Sequence, residues 1–101
     1  MTDRFLALDA GNSKTVAVVV DAAGTVLGRG RGGRGDIYNA ASPDEAAAAV
    51  IGSARAALDE AGVGAADLAA SAFRIAGVDW PEDTGWWQRR LAADLPGLGR
   101  H

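Results

Sequence analysis

Hydrophobic positions follow two different periods along this chain. Phe5-Leu6-Ala7-Leu8-Asp9 is a short apolar run that ends in a carboxylate. Thr15-Val16-Ala17-Val18-Val19-Val20-Asp21 is β-branched and almost continuously apolar, which predicts a central strand. Between them, Gly11-Asn12-Ser13 is a turn by composition, and Ala22-Ala23-Gly24 is a second turn. Thr25-Val26-Leu27-Gly28-Arg29 follows as a weaker third strand. Two successive hairpins predict a three-stranded antiparallel meander over residues 4–31. The Gly-rich stretch 30–41 reads as a loop.

The period then changes to that of a helix. Ser42 is suited to an N-cap, Pro43 to the first helical position, and Glu45 to the capping box. Val50, Ala54 and Leu58 recur every fourth residue, flanked by Ala47 and Ile51, giving one narrow apolar face that ends at Gly62. Residues 69–76, with Phe73 and Ile75 on one face, predict a fourth strand. Pro81 opens a second helix, with Glu82 and Asp83 in its first turn and Trp87, Leu91 and Leu95 as its buried stripe. The predicted class is α/β with the order β-β-β-α-β-α. There is no internal repeat and no interdomain linker.

Composition narrows the function. The chain has 101 residues and a formal charge of −3, which argues against a nucleic-acid partner. It has no cysteine, so disulfides and thiolate-ligated metals are excluded within these residues. The single histidine, His101, cannot build a metal site or a triad by itself. The absence of an 18-residue apolar span predicts no membrane segment, and the expected location is the cytoplasm.

Chemistry concentrates in Leu8-Asp9-Ala10-Gly11-Asn12-Ser13-Lys14-Thr15. A buried strand carries a carboxylate to its own end, and a tight turn follows. Backbone N–H groups, hydroxyls and a lysine on such a turn form a phosphate cradle. The carboxylate would repel a bare phosphate, so it makes sense mainly with Mg²⁺ or its water shell between the two. D-x-G-N is equally a good hairpin turn with no ligand at all. The segment is not a Walker A loop, because Ser13 and not glycine precedes Lys14, and Thr15 opens a strand instead of a helix.

Asp9-x-Gly11-x-x-x-Thr15 resembles the first phosphate motif of the actin–hexokinase–heat-shock-70 superfamily. The run from Leu6 to Thr15 looks like the BadF/BadG/BcrA/BcrD-type ATPases, a family that includes N-acetylglucosamine kinases. The likeness continues through the Gly-rich loop, Tyr38-Asn39, Ser42-Pro43-Asp44-Glu45 and Ala76-Gly77-Val78-Asp79, and so covers most of the chain in order. The resemblance implies a ribonuclease-H-like, actin-like ATPase fold with a mixed sheet. It implies ATP and Mg²⁺ as cofactors, with Asp9 holding Mg²⁺ through water and Gly11, Asn12, Ser13, Lys14 and Thr15 around the β- and γ-phosphates.

In the resembling sugar kinases, the loop after the third strand contributes to the hexose site. Here Asp36 stands where those kinases often have Asn; it accepts hydrogen bonds from sugar hydroxyls but lacks the amide donor. Tyr38 could stack on a sugar ring or pack on the helix, and Asn39 could bond a hydroxyl. A plain mobile loop is the alternative. Arg29, Arg31 and Arg34 form a small basic patch that reads as a solvated loop more readily than as an anion site. Trp80, Trp86 and Trp87 read as core or interface packing before a sugar platform.

Phosphoryl transfer needs a residue that orients or deprotonates the acceptor hydroxyl. The resemblance places it in a strand beyond His101, and Asp79 and Asp94 are poor substitutes. Residues 1–101 are thus expected to be the N-terminal part of a sugar kinase or ATPase, with the C-terminal lobe absent, and to be inactive and poorly stable alone. The complete protein would phosphorylate a small-molecule sugar and could form a homodimer. The alternatives are an ATPase that activates a partner enzyme, and a non-catalytic remnant or partner-binding fragment.

Overall fold

A computed structural model describes residues 3–38, 40–78 and 80–97. Its strands are β1 (Arg4–Ala10), β2 (Thr15–Asp21), β3 (Val26–Gly32) and β4 (Ala70–Ile75), and its helices are α1 (Pro43–Ala61) and α2 (Pro81–Asp94). They occur in the order the periodicities predict, with a short 3₁₀ turn at Ala65–Asp67 added. The four strands form one mixed sheet in the order β3-β2-β1-β4. β1–β2 and β2–β3 are antiparallel, and β1–β4 is parallel.

Period-two alternation sorts the strands onto two faces. Leu6, Leu8 and Ala10 of β1 and Thr15, Ala17 and Val19 of β2 are buried beneath the helices. Phe5, Ala7 and Asp9 alternate with them on the outer face, beside Val16, Val18 and Val20. α1 begins as predicted: the Ser42 hydroxyl accepts the Glu45 N–H at 3.1 Å. It ends at Gly62, whose φ of 69° is the left-handed conformation that favours glycine. Val50, Ile51, Ala54 and Leu58 of its apolar face are all buried.

β3 corrects the loop expectation. The strand runs to Gly32, as the meander over 4–31 predicts and the loop over 30–41 does not, so Gly30, Arg31 and Gly32 are strand residues and the loop starts at Gly33. The reason is the close approach of α1. A Cβ on Gly28 would lie 2.2 Å from the Ala57 carbonyl oxygen, one on Gly30 would lie 1.8 Å from that of Ser53, and one on Gly32 would lie 2.6 Å from Ser53 Oγ. The helix answers with small residues at four-residue spacing: Ala49, Ser53, Ala57 and Ala61. Arginines alternate with the glycines, so Arg29 and Arg31 project to the outer face. A bulge at Leu27, between the Val19–Gly28 and Val20–Val26 pairs, sets this register.

α2 packs beside α1. Trp87, Leu91 and Leu95 are buried as its pattern predicts. Trp86 and Trp87 meet edge to face, with ring centroids 5.0 Å apart. Trp80 is different: it is 62% exposed. Arg90 bridges the helices, 2.7 Å from Asp44 of α1 and 2.7 Å from Asp94 one turn away. Among the described residues, no helix is long and apolar enough to cross a membrane.

Candidate functional site

Parallel pairing of β1 and β4 brings two C-terminal strand ends to one edge of the sheet, the edge where open α/β sheets bind ligands. β1 delivers Asp9 there, one residue before its end, and the turn to β2 follows. The Gly11 N–H donates to the Lys14 carbonyl at 2.8 Å and closes that turn. Asn12, Ser13 and Lys14 are exposed around it. Asp9, Gly11, Ser13, Lys14 and Val16 line a hollow of about 150 Å³.

The second hairpin shows what a purely structural carboxylate does. Asp21 also sits at a strand end before a turn, and its Oδ1 accepts the N–H groups of Ala23 at 3.0 Å and Thr25 at 2.9 Å. Asp9 does nothing of the kind. No hydrogen bond or ion pair among the described residues engages its carboxylate, the Ser13 N–H or hydroxyl, or the Lys14 ammonium. The hairpin therefore leaves an acceptor, a hydroxyl, an amide donor and a cation around one hollow.

One exposed carboxylate without a protein partner fits Mg²⁺. That ion keeps several waters and takes one or two carboxylates together with substrate phosphates. No group of three or more metal-ligating side chains occurs among the described residues.

Thr15 is placed differently from its neighbours. It is fully buried, and its hydroxyl donates to the Gly33 carbonyl at 2.8 Å. Its side chain thus fastens the following loop to the hairpin. A second link, from the Gly35 N–H to the Gly11 carbonyl, is 3.2 Å long. No Cβ fits at Gly35, where it would lie 2.5 Å from that of Ala10.

The loop carries Asp36 to the same edge. Asp36 is 4% exposed, and its Oδ1 accepts the Tyr38 N–H at 2.9 Å. Its carboxylate lies against Gly77, just beyond β4, where φ is 80° and a Cβ would come within 2.0 Å of Oδ1. The Tyr38 ring is 58% exposed, and its hydroxyl donates to Asp83 Oδ1 at 2.6 Å. Asn39, the third residue expected to meet a sugar, and Asp79 lie outside the described residues.

Two residues at this edge carried no site expectation. Arg74 pairs with Asp9 in the parallel register and is exposed on the same face. A lone arginine in an apolar strand was its only signal. Asp83 was expected only to suit a helix dipole, but it joins α2 to the loop.

No protein-family model matches the chain, and no curated protein matches it significantly. Among solved structures, it is similar to the crystal structure of a "putative N-acetylglucosamine kinase" from Chromobacterium violaceum. The TM-score is 0.69 at 21% identity. The match covers 97% of this chain and 33% of that one, so this chain spans about a third of its neighbour's length. The fold is thus the mixed α/β, ribonuclease-H-like arrangement of that neighbour.

Proposed function

We propose that this chain is the N-terminal phosphate-binding portion of an ATP-dependent N-acetylhexosamine kinase of the BadF/BadG/BcrA/BcrD kind. The observation that carries the reading is the set of groups left without partners at the first hairpin, the Asp9 carboxylate, Ser13 and the Lys14 ammonium. The kinase-like fold of the Chromobacterium structure supports it.

In this reading Asp9 holds Mg²⁺ through water. The Ser13 amide and hydroxyl and the Lys14 ammonium receive the β- and γ-phosphate oxygens, with Gly11 and Asn12 shaping the turn. When bound, Mg²⁺ neutralises phosphate charge and favours transfer of the γ-phosphoryl group. Thr15 contributes through Gly33, by fixing the loop to the hairpin. The loop residues Asp36 and Tyr38 are assigned to the sugar, and the same role is proposed for Asn39, which lies outside the described residues. Proton removal from the sugar hydroxyl is assigned to the complete protein, outside these 101 residues.

The test is ADP release by the complete protein from Mg·ATP, with and without N-acetylglucosamine. Release that depends on the sugar, with a phosphorylated sugar as product, is the expected result. Sugar-independent hydrolysis would favour an ATPase that acts on a partner. Failure to bind Mg·ATP would remove the reading altogether.

A further inference from the structure

We propose that Asp83 is a positioning residue: through the Tyr38 hydroxyl it holds segment 33–38, and with it Asp36, over the shared C-terminal edge of β1 and β4. The inference rests on the reading that this segment meets the sugar.

The hairpin holds the start of the segment. Thr15 fastens Gly33, and Gly11 fastens Gly35. Past that point the Asp36 Oδ1 accepts the Tyr38 N–H, the Asp36 carbonyl accepts the Ala40 N–H at 2.9 Å, and its carboxylate lies against Gly77 beyond β4. The bond from the Tyr38 hydroxyl to Asp83 ties the same segment to α2, 45 residues away in sequence. Tyr38 is more than half exposed, and its hydroxyl reaches Asp83 on α2.

Asp83 is built to be that anchor. It is 4% exposed and fixed from two sides. Its Oδ2 accepts the Trp80 N–H at 3.0 Å, and its own N–H donates to the Trp80 carbonyl at 3.0 Å. Capping α2 in this way engages Oδ2, one of the two carboxylate oxygens. The other takes the Tyr38 hydroxyl in a short bond to a charged acceptor, of the stronger class. A buried carboxylate needs such donors to offset its desolvation, so residue and loop stabilise each other.

Substitutions in the complete protein separate anchoring from capping. Tyr38→Phe removes the anchor and leaves the cap. Asp83→Ala removes both. Asp83→Asn keeps both, because its carbonyl accepts the Trp80 N–H while its amide donates to the phenol oxygen. Two quantities are read: the rate of tryptic cleavage after Arg34, inside the segment, and the KM values for N-acetylglucosamine and ATP. Tyr38→Phe and Asp83→Ala are expected to speed cleavage about tenfold and to raise the sugar KM about tenfold, with the ATP KM within about twofold. Asp83→Asn, which keeps a neutral bond and the cap, is expected to fall between Asp83→Ala and the wild type.

Wild-type cleavage and wild-type sugar KM in Tyr38→Phe would overturn the proposal and reduce Asp83 to a helix cap. If the wild-type protein shows no dependence on the sugar, the kinase reading falls instead. The cleavage rates alone then decide whether Asp83 holds the segment.

Discussion

Asp9 and Arg74 occupy the same rung of the parallel β1–β4 pair, both exposed on the outer face of the sheet. The rung continues through Val16 to Arg31 on β3. Arg74 therefore adds positive charge next to the carboxylate assigned to Mg²⁺, on the side away from β2. Two exposed unit charges close together interact by about 1 kcal/mol. Arg74→Ala in the complete protein is expected to weaken Mg·ATP binding about three- to tenfold, with an effect that shrinks at high salt. Titration calorimetry at two salt concentrations checks this. Unchanged affinity would exclude Arg74 from the cradle.

Packing of α1 on β3 makes opposite predictions for two glycines. At Gly30 a methyl group would collide with the Ser53 carbonyl, and the helix would have to lift from the strand. Gly30→Ala should cost about 2–4 kcal/mol. Gly52 lies on the exposed side of α1, with open space where its Cβ would be. Gly52→Ala should stabilise the fold by up to about 1 kcal/mol, from helix propensity alone. Denaturant melts of the two variants check the pair, and a stable Gly30→Ala would contradict the close helix–strand contact.

The start of α1 depends on one hydroxyl. Ser42→Ala removes the acceptor for the Glu45 N–H and should cost about 1 kcal/mol, whereas Ser42→Asp should retain most of it. The same melts measure this. A neutral Ser42→Ala would mean that Pro43 and the packing of α1 set the helix start unaided.

What the sequence revealed was local. The hairpins, the Ser42 cap, the Gly62 stop and the buried stripe of α2 each depend on neighbours a few residues apart, and each could be read directly. The placement of Asp9 at its strand end, just before the turn, was legible for the same reason. β3 was misread past Arg29 because glycine density signals a loop. The Gly–Arg alternation from Gly28 to Gly32 has the period of a strand, but its cause is a helix whose small residues begin at Ala49. Asp83 and Arg74 could not be found by local reading. One meets Tyr38, far away in sequence, and the other gains its neighbour only when β4 pairs with β1.

The central claim is that Asp9 serves a metal and not the turn. Asp9→Asn in the complete protein tests it most directly, because it removes the charge with almost no change in volume. Asp9 is exposed and supports no turn N–H, so the melting temperature should move by no more than about 2 °C. Turnover at saturating Mg·ATP and N-acetylglucosamine should nevertheless fall about a thousandfold or more. Near wild-type turnover in a folded Asp9→Asn protein would contradict the account and leave the first hairpin as a turn only.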